Sequence, residues 1–321
     1  MEGMEGLKGK SILVTGGTGF VGSHLVEALV DKGAKVIVPF RSLDPRSYFA
    51  TRKLSDMVIM VSGDLRDNPR IFNIVVKHEI DYIFHLGAQA IVTTAYHDPV
   101  ETIETNVMGT TNILDAARRF PHVKAVLVAS SDKAYGKSTK AYKETDPLLG
   151  DHPYEVSKAA TDLIARAYYK TYGVPVVVTR FGNIFGPGDL NASRIIPGIM
   201  KTLITKEVLK LRSDGTHVRD YVYVKDVVSG YLFLLQNLGK AVGDIFNFSS
   251  DDNMNVVDLI KHIGKITSKK IPYVIENSAK NEIPYQHVDY AKISAMGWKP
   301  EARFANSIFE TLRWYTQNKP F

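Results

Sequence analysis

Cysteine is absent from all 321 residues. Disulfides, Cys-ligated zinc, iron–sulfur clusters and thiol nucleophiles are therefore excluded together, and no metal is expected. Also lacking is any apolar run approaching the ~20 residues that a membrane helix needs. The opening, Met1-Glu2-Gly3-Met4-Glu5-Gly6, is acidic and has no apolar core, so it does not read as a secretory leader. The expectation is a cytoplasmic protein without a membrane partner, in which the sequons Asn191-Ala192-Ser193 and Asn247-Phe248-Ser249 are chance. Repeats and low-complexity tracts are missing as well. Hydrophobic residues at 45% and charged residues at 23% sit near the globular average, which argues against disorder and coiled coil. The formal charge of +6 is scattered, with no long basic run. Nucleic acid is not expected, and an anionic small-molecule substrate accounts for the excess.

What the chain does have is a rhythm. Short β-branched runs at Ser11–Thr15, Lys35–Val38, Met57–Val61, Tyr82–Leu86, Val123–Ala129 and Pro175–Thr179 alternate with amphipathic stretches at Phe20–Lys32, Pro69–Glu79, Pro99–Phe120 and Tyr154–Tyr172. Runs such as Val123-Lys124-Ala125-Val126-Leu127-Val128 are nearly continuous in apolar residues, as in parallel strands covered on both faces. Repeated βα units predict an α/β fold, a Rossmann-type doubly wound parallel sheet.

After Arg180 the rhythm breaks. Glycine and proline cluster in Phe181-Gly182-Asn183-Ile184-Phe185-Gly186-Pro187-Gly188, and shorter elements follow, with helices near Ile195–Lys206, Asp226–Asn237, Val256–Ile266 and Phe304–Thr316. The expected division is a dinucleotide-binding domain over 1–180, also receiving 225–250, and a smaller C-terminal α/β substrate lobe over 181–321. Ligands in such folds sit at the carboxyl edge of the sheet.

The first strand runs directly into Thr15-Gly16-Gly17-Thr18-Gly19-Phe20-Val21-Gly22. Gly16 allows the tight turn, Gly19 the approach of a pyrophosphate, and Gly22 close helix–strand packing. The helix that begins there offers free N–H groups to phosphates. Gly16, Thr18, Gly19, Phe20 and Gly22 are thus candidate dinucleotide contacts. The second strand ends in Phe40-Arg41, where an NAD enzyme usually places an acid for the ribose. An arginine there suits a 2′-phosphate, which favours NADP slightly over NAD. Asp64, in Gly63-Asp64-Leu65 after the third strand, can accept from the adenine amino group. The small residues of His85-Leu86-Gly87-Ala88-Gln89 let backbone at Leu86 and Ala88 approach a cofactor, while His85 reads as a packed histidine. Tyr154 and Lys158 fall at i and i+4 on one helix face. A nearby ammonium and a positive nicotinamide ring would lower the tyrosine pKa and make Tyr154 a general base. Ser131, leaving the fifth strand beside Asp132 and Lys133, offers a hydroxyl to a substrate alcohol.

With these residues in place, the chain resembles the extended short-chain dehydrogenase/reductase family, the NAD(P)-dependent nucleotide-sugar epimerases and dehydratases. The likeness covers almost the whole chain. It includes the glycine trio, Gly63-Asp64-Leu65, Asn106-Val107-Met108-Gly109-Thr110, the Ser131/Tyr154/Lys158 set, Arg180-Phe181-Gly182-Asn183, Arg219-Asp220-Tyr221-Val222-Tyr223-Val224 and Asn247-Phe248-Ser249. Ser131-Asp132-Lys133 is similar to CDP-glucose 4,6-dehydratases and also to UDP-N-acetylglucosamine 4,6-dehydratases. Gly188-Asp189-Leu190 with Arg194-Ile195-Ile196-Pro197 is similar to the CDP-glucose enzymes.

The resemblance implies a homodimer, paired through helices corresponding to Pro99–Phe120 and Tyr154–Tyr172, acting on a nucleotide-diphosphate sugar. It also implies that Asn183 and Arg219 bind the diphosphate, with Gln89, Asn106 and Arg194 on the substrate. Tyr154, aided by Ser131, takes the C4 hydroxyl proton, and Lys158 holds the ribose hydroxyls of the cofactor. A 4,6-dehydratase then needs a base at C5 and an acid at the C6 hydroxyl, for which Lys133 and Asp132 stand ready. A 4-epimerase needs no such pair. A reductase releasing oxidised cofactor and a non-catalytic NADP-binding regulator on the same fold are further alternatives. A regulator has no need of a positioned base.

Overall fold

The computed structural model describes residues 5–278 and 283–321. Among the described residues twelve strands form: β1 (Ser11–Thr15), β2 (Lys35–Phe40), β3 (Ile59–Ser62), β4 (Tyr82–His85), β5 (Ala125–Ala129), β6 (Val176–Phe181), β7 (Asn183–Phe185), β8 (Leu209–Leu211), β9 (Val218–Tyr223), β10 (Ile245–Phe248), β11 (Asn253–Asn255) and β12 (Tyr273–Ile275). Seven of them make one parallel sheet in the order β10-β6-β5-β4-β1-β2-β3. β1, β4 and β5 are almost fully buried, because helices cover both faces, as the uninterrupted apolar runs require. One face packs Ile12, Val14, Leu25, Val38 and Phe84, and the other packs Leu13, Ile37, Ile83, Val126 and Val178.

The strand order reverses between β1 and β4, and the loops leaving their carboxyl ends open a crevice there. Outside this sheet lie the mixed sheet β11-β9-β7, the pair β12-β8, and helices Ile195–Thr205, Val256–Thr267 and Phe304–Asn318, which contribute to a further hydrophobic cluster. β10 returns from this region to pair with β6.

Helix ends follow local chemistry. Asp67 caps the helix Asn68–Lys77, its carboxylate accepting from the Arg70 N–H. The helix Pro153–Tyr172 begins with proline in its first turn and ends at Gly173, whose φ of 70° is the left-handed cap. The expected helix Pro99–Phe120 is not continuous. It runs Pro99–Ile103, widens into a π turn at Glu104–Met108, and resumes as Gly109–Arg119. The wide turn leaves the Asn106 carbonyl to accept from the hydroxyls of Thr110 (2.5 Å) and Thr161 (3.1 Å).

Candidate active site

The loop after β1 is shaped by its glycines. Gly16 has φ 68°, and a Cβ there would stand 2.8 Å from the Gly87 nitrogen. A Cβ on Gly22 would stand 2.1 Å from the Gly16 carbonyl oxygen, so the helix Phe20–Asp31 lies hard against the loop. Gly19 caps that helix with no side-chain bond, which leaves the first N–H groups to a ligand. Glycine cradle and bare helix start fit a dinucleotide pyrophosphate. The loop of small residues after β4 packs opposite, since a Cβ on Gly87 would meet Leu65 Cδ1 at 2.9 Å and Thr15 Oγ1 at 3.0 Å. Asp64 is tied to Arg66 (Nη2–Oδ2 2.8 Å), which holds its carboxyl down at about 2. Arg41 is exposed at the end of β2, with Nη1 3.4 Å from Glu101 Oε1 and 3.6 Å from Asp64 Oδ2.

Tyr154 and Lys158 lie on the inward face of the helix Pro153–Tyr172 and are both buried. Lys158 Nζ donates to the Ala129 carbonyl at the end of β5 (2.8 Å), and burial pulls it down to about 8. Burial, seconded by the Asp132 carboxylate, pushes the Tyr154 phenol up to about 12, while the Ser131 hydroxyl and Arg194 pull the other way. Of the two positive charges expected to lower the phenol, the Lys158 ammonium does not do so on its own. In the protein alone the phenol keeps its proton at neutral pH, and a positive charge brought by the cofactor must supply the lowering.

Ser131 starts the one-turn helix Asp132–Tyr135, its hydroxyl accepting from the Lys133 N–H (3.2 Å) and donating to Asp132 Oδ1 (3.0 Å). Lys133 Nζ lies 3.3 Å from the same carboxylate oxygen and donates to Asn183 Oδ1 at 3.0 Å. The Asp132 side chain is 3% exposed and that of Lys133 24%. Ser131, Asp132, Lys133, Tyr154 and Lys158 therefore converge at the carboxyl end of β5.

The expected substrate residues divide. Arg194 joins the cleft, paired to the buried Asp189 (2.8 Å) and close enough to Tyr154 to act on its charge. Arg219 is half-buried on β9, Nη1 donating to the Val218 carbonyl at 2.8 Å. Asn183, expected on the diphosphate, has its side-chain oxygen on Lys133. Asn106 is a correction. It is 1% exposed, its Oδ1 accepts from the Gln89 N–H (2.7 Å), and its Nδ2 donates to the Gln89 carbonyl (3.0 Å) and Ser157 Oγ (2.9 Å). Its amide is engaged in holding the π turn against the helix Pro153–Tyr172. Gln89 likewise spends its amide on Ile91 in its own loop and on Thr102 of the helix Pro99–Ile103.

The model of the NAD dependent epimerase/dehydratase family matches residues 12–248. The chain belongs to this family. The CDP-glucose 4,6-dehydratase of Salmonella typhimurium is 29% identical over 96% of this chain and 91% of that protein. The chain spans about half the length (48%) of a trifunctional Arabidopsis thaliana protein named UDP-glucose 4,6-dehydratase/UDP-4-keto-6-deoxy-D-glucose 3,5-epimerase/UDP-4-keto-L-rhamnose-reductase, at 28% identity over 97% of this chain. Among solved structures, Thermotoga maritima UDP-glucose 4-epimerase with UDP-glucose superposes with a TM-score of 0.87 at 28% identity, covering 96% of this chain and 99% of that one. Bacillus anthracis dTDP-glucose 4,6-dehydratase in complex with NAD gives 0.84 at 28% identity, covering 97% of each chain.

Around this site runs a buried polar frame, of which only His85 was anticipated from sequence, as a packed histidine. His85 bridges Thr15 Oγ1 (2.8 Å) and Thr110 Oγ1 (3.0 Å), and burial draws its pKa down to about 3, so it is a neutral strut between the glycine loop and the π turn. Arg180, 1% exposed, donates from Nε to Asp162 of the catalytic helix (2.7 Å) and from Nη1 to Tyr135 Oη (2.6 Å). Tyr135 donates its own hydroxyl hydrogen bond to Asn247 Oδ1 (2.8 Å), whose Nδ2 donates to the Tyr142 and Asp289 carbonyls. Asn247, in the second sequon, is fully buried in this network. Only the apolar gap around a lone arginine in β6, next to Asp162 one turn beyond Lys158, signals the pair in the sequence. Among the described residues no helix is long and apolar enough to cross a membrane.

Proposed function

We propose that the protein is a nucleotide-sugar 4,6-dehydratase. The observation that carries this reading is the pair formed by the buried Asp132 and the partly buried Lys133 beside Ser131 and Tyr154. When bound, NAD(P) supplies the acceptor for the C4 hydrogen and returns it at C6. Tyr154 takes the proton of the C4 hydroxyl, steadied by Ser131. The C4 ketone acidifies the C5 proton. A proton shift along the 3.3 Å Lys133–Asp132 contact converts the ion pair into a neutral amine and a carboxylic acid. Lys133 then removes the C5 proton while Asp132 protonates the departing C6 hydroxyl, and water leaves. Lys133 gives its proton back to C5, and the proton held by Tyr154 restores Asp132 through Ser131, which touches both. Arg219 and Arg194 meet the diphosphate sugar, with the sheet domain holding the cofactor and the second lobe the substrate. A C4 epimerisation uses Tyr154 and Ser131 alone and leaves the pair without a task.

The pair supplies the test. Asp132→Asn keeps oxidation at C4 and blocks loss of water, so nicotinamide absorbance accumulates together with a 4-keto sugar. Lys133→Met slows the same step, by the ~10²–10⁴-fold of a general acid–base group. Both variants interconverting C4 epimers at the parent rate would make the protein a 4-epimerase instead.

Cofactor choice turns on Arg41. Its two carboxylate neighbours, Glu101 and Asp64, already balance its charge, and a 2′-phosphate would enter beside both. This supports NAD over the NADP favoured from sequence. Titration of the parent is expected to give NAD binding at least as tight as NADP, with Glu101→Gln moving the ratio several-fold toward NADP. A tenfold NADP preference that Arg41→Ala abolishes would reinstate the phosphate role. Val100, Met108, Val156, Leu163 and Tyr172, all exposed on the expected pairing helices, support a homodimer.

A further inference from the structure

The residue before the catalytic helix is His152, followed by Pro153 and Tyr154. It occupies the capping position, where serine, threonine, aspartate or asparagine prevail. Its backbone is extended (φ −111°, ψ 147°), and its ring nitrogen Nδ1 accepts from the Tyr154 N–H at 3.1 Å. Accepting there leaves the proton of the neutral ring on Nε2. Nε2 is buried and has no hydrogen-bond partner among the described residues. The ring is 6% exposed and packs edge-on against Tyr96, centroids 4.1 Å apart.

From this geometry we infer that His152 is a positioning residue for Tyr154: a neutral-histidine cap that fixes the first turn of the catalytic helix and releases it when the ring takes a second proton. The inference rests on the reading of Tyr154 as the proton acceptor. The capping bond is made to the backbone of the catalytic residue itself. A proton on Nδ1 removes the acceptor and sets N–H against N–H, so the cap exists only in the neutral state. Two carboxylates lie near. Asp151 adjoins the ring and favours its protonation. Glu155 accepts from the Asp151 and His152 N–H groups rather than from the ring, and Lys133 acts on its charge. Asp151 is itself countered by Lys137 (3.3 Å). Tyr96 contributes only its ring face. Burial outweighs Asp151 and holds the histidine below its usual pKa. The sign follows: the cap is complete at neutral pH and is lost as pH falls through that lowered value.

Two variants and one spectrum test this. Removing a cap lowers the population of the ordered first turn, so His152→Ala is expected to reduce kcat roughly tenfold with little change in KM. His152→Asn, which caps without titrating, recovers turnover to within about threefold. Below neutrality the parent loses kcat with the steepness of two protons, one on Tyr154 and one on His152, whereas His152→Asn loses it with one. Nitrogen NMR of the ring in the substrate-free protein is expected to find Nδ1 unprotonated at neutral pH. Protonated Nδ1 at neutral pH, equal losses in Ala and Asn, or an acid limb unchanged in His152→Asn would each overturn the cap. The spectrum needs no sugar, so it separates the two readings: the expected tautomer in a protein that turns over no nucleotide sugar supports the cap and sinks the functional assignment.

Discussion

Tyr154→Phe is expected to lower turnover by about 10²–10⁴-fold while leaving cofactor affinity near that of the parent. The ring is 8% exposed, and phenylalanine fills the same volume, so the helix and its cap remain. What disappears is the one hydroxyl placed beside Ser131 that can take a proton from C4. The cofactor keeps its glycine cradle and Lys158, so its binding persists. A linked expectation concerns charge. Burial and Asp132 set the phenol at about 12 in the protein alone, far above neutral. Adding oxidised cofactor places a positive ring in the cleft, which favours the phenolate, so the apparent pKa read by tyrosinate absorbance is expected to fall by several units toward neutrality. Near-parent turnover in Tyr154→Phe, or a phenol that titrates unchanged with oxidised cofactor bound, would remove Tyr154 from the base role.

The second large effect is on stability. Arg180→Met leaves Asp162 as an unpaired buried carboxylate, since both side chains are at most 1% exposed. Breaking a buried pair on one side costs about 3–5 kcal/mol, and roughly 5–10 °C in melting temperature for a chain of this size. The same change frees Tyr135 and Asn247 from their link to β6, so the catalytic helix and the segment at Asp289 lose a common tie. Pairing the substitution with Asp162→Leu removes the stranded charge and is expected to recover much of the loss. Thermal unfolding of the two variants decides the matter. A single variant as stable as the parent would mean that Asp162 finds another partner.

Much of the fold was legible because its signals are local. The apolar runs of β1, β4 and β5, the glycine trio and the spacing of Tyr154 and Lys158 each act within a few residues. What escaped was non-local. The π turn at Glu104–Met108 exists because Asn106 reaches Gln89 and Ser157, so an asparagine read as a substrate contact is structural. The spacing of Tyr154 and Lys158 carries no sign of the burial and the Asp132 charge that raise the phenol in the protein alone, so the expected lowering rests on the positive nicotinamide ring. Arg41 was read alone, yet Glu101 and Asp64 arrive from other loops. Asp132 and Lys133 were picked out as neighbours in sequence, and only the folded chain adds that Lys133 and Ser131 share one oxygen of Asp132 and that Asn183 accepts from the lysine.

The central claim is loss of water across C5–C6 driven by a transient C4 ketone. The most direct measurement is incubation of the purified protein and NAD with CDP-glucose, UDP-glucose, UDP-N-acetylglucosamine, GDP-mannose and dTDP-glucose, each deuterated at C4, followed by mass analysis. The account predicts that one of these sugars loses one water and carries its deuterium at C6. A product of unchanged mass, with the label still at C4 and the configuration there inverted, would contradict it.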